Sequence, residues 1–194
     1  KLVDMSVSGF ADETSSESPA PGGGSVSAYV AALGVSLGTM VANLSSHKRG
    51  WDDRWAEFSN WAEKGQEIKN ELLYLVDEDT RSFNKIMEAF RMPKKSVQEK
   101  DQRNKAIEDA TKYAIKVPFR IMQKAYESMD VIDAMVEKGN PNSITDAGVG
   151  ALCARTAVCG AFMNVRINSE GLKDRDFYNK IYQEAREIEQ AAIR

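Results

Sequence analysis

The segment that most constrains the fold of this chain runs from Pro19 to Ser46 and contains no charged residue. Bulky apolar residues recur in it every three or four positions, and a second row of small residues follows the same spacing. The bulky row comprises Val26, Tyr29, Val30, Leu33, Leu37, Met40, Val41 and Leu44, and the small row comprises Ser27, Ala31, Gly34, Gly38 and Ala42. Ser, Ala, Gly, Thr and Asn are too frequent here for a lipid-facing span. We therefore expect a buried central helix and no membrane span.

The rest of the chain also has helical periodicity. A stripe beginning at Trp51 covers some 40 residues, which predicts either two helices or one helix bent near Gly65. The next helix is expected from about Ser96 to Lys138, with Pro118 kinking or splitting it. Two more helices are expected at about 143–168 and 174–193, and a short one within 2–12. Without any convincing strand, the 194 residues predict a single-domain, all-α, mostly antiparallel bundle with long, partly kinked helices.

The composition excludes several classes of function. The 26 basic and 29 acidic residues give a net charge of −3, which is unlike a nucleic-acid-binding protein. The single histidine, His47, excludes a His-rich zinc site, so no metal is expected. Cys153 and Cys159 are interpreted as reduced, and residues 1–17 lack the apolar core of a signal peptide. These features predict a cytoplasmic protein.

Two acids lie on predicted apolar rows. Asp79 follows Leu72 and Val76 on one helix face, whereas Asp77 is expected to point elsewhere. A buried carboxylate is costly unless it is paired, so Asp79 is either part of a helix–helix contact or a carboxylate tuned for proton transfer. Asp146 lies on a similar row, but with Ser143 it also fits a capping-box variant at a helix start.

Two further features are candidates for binding. Gly22, Gly23, Gly24 and Ser25 lead directly into the central helix, whose free N–H groups suit an anion or a carbonyl group. The alternative is a flexible lead-in with Ser25 as N-cap. Arg103 continues an apolar row, and it either binds a carboxylate of a ligand or forms a structural ion pair.

Together these segments resemble the cyclodeaminase domain family of formimidoyltransferase-cyclodeaminase, which includes stand-alone bacterial methenyltetrahydrofolate cyclohydrolase-like members. The resemblance follows the family order over nearly the whole chain. The matching segments are Pro19-Ala-Pro-Gly-Gly-Gly-Ser-Val26, Val76-Asp-Glu-Asp79 with Phe83, Met92-Pro-Lys94 with Arg103, Val117-Pro118, Gly139-Asn140, Asp146 and Asn164-Val-Arg-Ile-Asn168.

The resemblance implies a helical homodimer that acts on a tetrahydrofolate derivative and needs no cofactor. It assigns the catalytic acid to Asp79, and Asp146 is a candidate for sharing its work. It also makes the residues of the binding set candidates for folate contacts, namely Gly22, Gly23, Gly24, Ser25, Arg103, Asn140 and Asn164. A formimidoyltransferase domain or protein is the partner that the family implies.

Three functions remain open on the sequence. In the first, a cyclodeaminase converts 5-formiminotetrahydrofolate to 5,10-methenyltetrahydrofolate and ammonia. In the second, a cyclohydrolase hydrolyses 5,10-methenyltetrahydrofolate, and the sequence does not separate these two reactions. The third is a non-catalytic helical dimer that binds folate or acts as a scaffold. The two acids on apolar rows favour an enzyme over this third function.

Overall fold

Six α-helices account for most of the chain in the computed structural model, which describes residues 1–194. Their bounds are α1 Val7–Thr14, α2 Gly23–Ser46, α3 Trp55–Arg91, α4 Val97–Lys138, α5 Ile144–Ile167 and α6 Arg175–Ile193. Single 3-10 turns precede α1, α3 and α5 at Leu2–Asp4, Asp52–Arg54 and Pro141–Ser143. No strand is present, so the predicted all-α fold is confirmed.

The central helix is α2, which packs against α3, α4 and α5. Its small residues allow this packing: a Cβ added at Gly34 would lie 2.9 Å from the carbonyl oxygen of Gly150, and one at Gly38 would lie 3.1 Å from Ile132. By length and composition alone, α2 and the segment Pro141–Ile167 are apolar enough to cross a membrane. The core helices of soluble proteins pass the same test, and 61% of the apolar window of α2 is buried within the bundle.

The helix α3 is a single helix of 37 residues, so of the two alternatives for this stretch the division into two helices is wrong. Gly65 does not interrupt it. A Cβ at Gly65 would overlap Oγ1 of Thr39, which shows that this glycine allows α2 and α3 to approach closely. The sequence signal that suggested a break therefore marks a helix–helix contact.

The helix α4 runs without interruption for 42 residues, with Pro118 inside it. A split at this proline is therefore also wrong. Pro118 is buried between the core residues Val117 and Phe119. Packing of this stretch offsets the hydrogen bond that a proline removes from a helix. The start of α4 is fixed by a capping box in which Ser96 and Glu99 exchange side-chain and backbone hydrogen bonds.

Candidate functional site

The site is built around the N-terminus of α2. Gly22 is its N-cap residue and Ser25 is the third residue of the helix, so the interpretation of Ser25 as N-cap is wrong. Ser25 is buried, and its hydroxyl donates to the carbonyl oxygen of Val76 at 2.9 Å. This contact joins the first turn of α2 to the middle of α3. The glycine segment is therefore packed against α3 rather than forming a free lead-in.

Asp79 of α3 lies directly against this first turn. A Cβ at Gly24 would overlap the Asp79 carboxylate, so only glycine leaves room for the acid at this point. The Oδ2 atom of Asp79 is 3.1 Å from the Ser25 hydroxyl, and the backbone N–H of Ser25 also donates to the carboxylate. Burial raises the pKa of Asp79, although the two hydrogen bonds from Ser25 act in the opposite direction. No basic side chain pairs with it.

A small cavity of about 120 Å³ opens in front of the Asp79 carboxylate. It lies between the N-terminus of α2, the middle of α3 and the end of α5. Its lining comprises Pro19, Ala20, Gly22, Gly23, Gly24, Asp79, Thr80, Ser82, Phe83, Ile86, Ala114, Asn164 and Asn168. We call it the Asp79 cavity. The structure thus brings the three predicted glycines, Asp79 and Asn164 together around one space, with Ser25 behind the carboxylate.

Two asparagines at the end of α5 line the Asp79 cavity: Asn164 in its last turn and Asn168, its C-cap residue. Nδ2 of Asn164 donates to the carbonyl oxygen of Gly160 at 2.9 Å, and Nδ2 of Asn168 donates to that of Ala114 at 2.7 Å. These bonds fix both amide groups and leave their Oδ1 atoms as acceptors. A carboxylate beside two amide oxygens suits a ligand group that is rich in N–H donors or carries positive charge.

The two acids before Asp79 are more buried than it is, but they serve other contacts. Asp77 is 9% exposed and accepts a 2.7 Å hydrogen bond from the backbone N–H of Leu2, which holds the N-terminal segment on α3. Glu78 is 5% exposed and accepts hydrogen bonds from Tyr113 of α4 and from Arg81. Asp77 thus points away from Asp79, as the sequence predicts.

The pKa values of Glu78 and Asp79 are shifted in opposite directions, in line with their different contacts. Burial acts to raise the pKa of Glu78, but the hydrogen bonds from Tyr113 and Arg81 outweigh it and hold that pKa below its ordinary value. Burial and the bond to Glu78 raise the pKa of the Tyr113 phenol to about 12. Glu78 is therefore an ionised structural group. Asp79 is the acid of this segment whose pKa burial raises.

Arg103 lies apart from the Asp79 cavity. Its guanidinium donates to the carbonyl oxygen of Phe90 at 3.2 and 3.4 Å and lies 5.6 Å from the centre of the Phe90 ring. Phe90 is eleven residues beyond Asp79 on α3, about 16 Å along the helix. Arg103 therefore satisfies the end of α3 and forms an ion pair with neither candidate acid.

Asn140 and Asp146 lie at the opposite end of the bundle. The backbone N–H of Asn140 donates to the hydroxyl of Ser45 at 2.8 Å, near the C-terminus of α2. Asp146 lies in the first turn of α5, and the helix from there to Asn164 spans about 27 Å. Within one chain, Asp146 therefore does not reach the cavity in front of Asp79, and its catalytic role stays a prediction. The capping box with Ser143 is also absent, since this residue makes no side-chain cap hydrogen bond.

Several residues of the cavity were not predicted as site residues from the sequence. Thr80 follows Asp79 directly, Ser82 lies three residues after Asp79, and Asn168 lies one helical turn after Asn164. The spacing of the two asparagines was the available signal. Ala114 and Ile86 carry no chemical signal, because only the packing of α3, α4 and α5 brings them to the cavity.

A comparison with protein families gives a match to the formiminotransferase-cyclodeaminase profile over residues 6–187. That match covers nearly the whole chain. The chain belongs to the formiminotransferase-cyclodeaminase family.

Individual relatives of this family member fall into two groups. A methenyltetrahydrofolate cyclohydrolase from Methylorubrum extorquens is 35% identical over 87% of the chain and 81% of its own length. The formimidoyltransferase-cyclodeaminase of Mus musculus is 33% identical over 93% of the chain, which spans only 34% of the mouse protein. Among solved structures, a formiminotetrahydrofolate cyclodeaminase from Thermotoga maritima has a TM-score of 0.84 at 25% identity, covering 99% of this chain and 93% of that one.

Proposed function

We propose that this protein is a formimidoyltetrahydrofolate cyclodeaminase that forms 5,10-methenyltetrahydrofolate and ammonia from 5-formiminotetrahydrofolate. The observation that carries the proposal is the Asp79 carboxylate, which is buried against Gly24, faces a cavity and has a raised pKa. The fold and name of the Thermotoga maritima protein support this reaction. A formimidoyltransferase domain or protein would supply the substrate.

The reaction requires two proton transfers: one from N10 of the folate and one to the terminal nitrogen of the formimino group. N10 of the folate attacks the formimino carbon, and a new N10–C bond forms while N10 loses its proton. The C–N bond to the terminal amino group then breaks, and that nitrogen leaves as ammonia after gaining a proton. Asp79 accepts the first proton and donates the second, since N10 and the leaving nitrogen are bonded to the same carbon once N10 has attacked. The Oδ1 atoms of Asn164 and Asn168 accept hydrogen bonds from the amidinium N–H groups.

A second reaction is the hydrolysis of 5,10-methenyltetrahydrofolate, and the relative from Methylorubrum extorquens favours it. In this case water attacks the methenyl carbon and Asp79 takes the proton of that water. The new hydroxyl loses its remaining proton as the C–N5 bond breaks and N5 receives one, which leaves the formyl group on N10 and releases one proton overall. The same carboxylate serves both reactions, so the substrate that turns over decides between them.

The test supplies each folate separately and follows the methenyl absorbance, with ammonia measured in parallel. We expect methenyl product and equimolar ammonia from 5-formiminotetrahydrofolate. Loss of methenyl absorbance without ammonia, from 5,10-methenyltetrahydrofolate alone, would identify the cyclohydrolase instead. Binding of both folates without turnover would leave the non-catalytic function.

Asp79→Asn removes the proton acceptor while keeping the size of the side chain. We expect kcat to fall by about 10²- to 10⁴-fold, the range of general acid–base catalysis, with the helical circular dichroism unchanged. The matched control is Asp133→Asn, which makes the same change on the exposed surface of α4. Near-normal turnover by Asp79→Asn would remove this residue from the mechanism.

The pH dependence gives a second measurement on the same group. A base must be ionised to accept a proton, so kcat/KM is expected to fall as the pH drops through the pKa of Asp79. Because burial raises that pKa, the acid limb should lie above the pKa of an ordinary aspartate. The limb should be absent from the residual activity of Asp79→Asn. An acid limb that persists in this variant would assign it to another group.

A further inference from the structure

The hydroxyl of Ser25 makes more contacts than a tie between two helices requires. Its oxygen lies 2.9 Å from the carbonyl oxygen of Val76, 3.1 Å from Oδ2 of Asp79 and 3.4 Å from the hydroxyl oxygen of Thr80. A serine hydroxyl has one proton to donate and two lone pairs with which to accept. Two acceptors, the Val76 carbonyl and the Asp79 carboxylate, therefore compete for a single proton.

Ser25 is fully buried, which strengthens both of these contacts. Its exposed fraction is 0%, so solvent does not replace either acceptor. A hydrogen bond at such a site is stronger than one in water, and a polar group left without a partner there is more costly. The Ser25 proton therefore lies on one of the two acceptors, and rotation about a single C–O bond moves it from one to the other.

The charge on Asp79 determines which acceptor the proton favours. A hydrogen bond to an ionised carboxylate is about twice as strong as one between neutral groups. Ionised Asp79 should therefore attract the Ser25 proton, although the carboxylate oxygen is slightly farther away than the carbonyl oxygen of Val76. Protonated Asp79 is a weaker acceptor, so the proton should then return to the Val76 carbonyl.

No other charged group takes this role at the Asp79 carboxylate. Asp79 is the only titratable residue that lines its cavity, so α2, α4 and α5 bring no charge to it. On α3 itself, Asp77 accepts a hydrogen bond from the N-terminal segment, and Glu78 pairs with Arg81. The hydroxyl of Ser25 is therefore the side-chain donor that can respond to the charge on Asp79.

Both proposed reactions need such a response. Asp79 must be ionised before it takes a proton from N10 or from water, and it is neutral afterwards. Burial alone favours the neutral form, which cannot act as a base. A donor that strengthens its bond only to the ionised form supports the base without hindering the return of the proton.

We propose that Ser25 is a positioning residue whose hydroxyl turns between Val76 and Asp79 as the carboxylate changes charge, so that it holds Oδ2 while Oδ1 exchanges a proton with the substrate. Before the transfer, the Ser25 proton points to ionised Asp79. After it, the proton from N10 or from water is bonded to Oδ1, and the Ser25 proton points to the Val76 carbonyl. Loss of the Oδ1 proton reverses the rotation, and Ser25 keeps its own proton throughout. The role in turnover rests on the proposed function, whereas the rotation itself does not.

Carbon-13 NMR of labelled aspartate carboxyl groups tests the contact without any turnover. The Asp79 signal is assigned by its absence from Asp79→Asn and is titrated in protein without folate. Because the Ser25 hydroxyl favours the ionised form, Ser25→Ala should move the midpoint of this titration to higher pH. The matched control is Ser128→Ala, since Ser128 is also fully buried and donates to a carbonyl oxygen, that of Ala125. The control should keep the wild-type midpoint, and an unchanged midpoint in Ser25→Ala would overturn the proposal.

Steady-state kinetics separate a positioning role from a structural one. We expect Ser25→Ala to lower kcat/KM by about tenfold at neutral pH, less than the loss of Asp79 itself, because the backbone N–H of residue 25 still holds the carboxylate. Its acid limb should move to higher pH together with the NMR midpoint. Ser25→Cys keeps a weak donor and should lie between wild type and Ser25→Ala, and Ser128→Ala should match wild type. A lower rate with the acid limb at its wild-type pH would mean that Ser25 only ties α2 to α3.

Neutron diffraction from deuterated wild-type crystals observes the rotation directly and needs no variant. Crystals are measured at one pH above and one pH below the midpoint of the Asp79 titration. We expect the Ser25 deuterium on the line to Oδ2 at the higher pH and on the line to the Val76 carbonyl oxygen at the lower pH. The same orientation at both pH values would refute the rotation. If the rotation is seen but wild type turns over neither folate, the proposed function fails and the rotation does not.

Discussion

At the scale of single residues, the hydrogen-bond partners distinguish the proposed catalytic acid better than burial does. Three consecutive acids, Asp77, Glu78 and Asp79, lie about 100° apart around α3 and face three different neighbours. Asp77 is held by the N-terminal segment, and Glu78 by Tyr113 and Arg81. Asp79 has only the hydroxyl and N–H of Ser25. These two bonds do not cancel the effect of burial on the pKa of Asp79, so the acid with the weakest structural role is the one suited to chemistry.

The glycine segment gives a graded prediction at this scale. A Cβ at Gly24 overlaps the Asp79 carboxylate, one at Gly23 lies 3.3 Å from Asn164, and one at Gly22 lies 3.8 Å from Pro19. We expect Gly24→Ala to lower kcat/KM by about 100-fold, the effect of displacing a catalytic group by about 1 Å. Gly23→Ala should have a smaller effect and Gly22→Ala the smallest, as measured by steady-state kinetics. Equal losses of kcat/KM in all three variants would mean that the glycines are needed for backbone flexibility and not for the room they leave beside Asp79.

At the scale of elements, the apolar periodicity predicted each long helix but not its interruptions. Gly65 and Pro118 both suggested breaks, because their effect on an isolated helix is unfavourable. The structure keeps α3 and α4 continuous because tertiary contacts use these residues: Gly65 admits Thr39, and Pro118 is buried in the core. A single sequence does not show which neighbour a glycine faces. This is why helix identity was predictable and helix continuity was not.

The contact between α2 and α3 can be tested with a double-mutant cycle. Gly65→Ala should gain about 1 kcal/mol of helix propensity, but overlap with Thr39 should cost more, about 1–3 kcal/mol. We therefore expect net destabilisation in urea unfolding. Thr39→Ala removes the overlapping Oγ1, so adding it to Gly65→Ala should recover most of the loss. Strictly additive effects would show that the two residues do not compete for the same space.

The candidate site was predictable where its chemistry is local. Asp79 and the glycines were identified because an acid on an apolar row and a glycine run before a helix are both visible in the sequence. Asn140 and Asp146 were assigned to the same site, but the fold places them about 30 Å from it within one chain. Distances between the ends of long helices depend on topology, and a motif does not encode them.

At the scale of the whole molecule, the homodimer that the resemblance implies would link assembly to stability. Unfolding of a dimer also separates its two copies, so the apparent stability depends on protein concentration. We expect tenfold dilution to reduce the unfolding free energy of the dimer by about 1.4 kcal/mol and to lower Tm. The measurement is calorimetry over a hundredfold range of concentration, and a Tm that is independent of concentration would contradict the dimer.

The composition of α2 has a consequence for the folding of the bundle. Its four glycines, Gly23, Gly24, Gly34 and Gly38, each disfavour the helical state by about 1 kcal/mol relative to alanine. As an isolated peptide, α2 would be largely random coil. Its backbone becomes ordered only when α3, α4 and α5 surround it. Amide protons at the centre of α2 should therefore exchange with deuterium only through global opening, which makes the most glycine-rich helix the slowest to exchange.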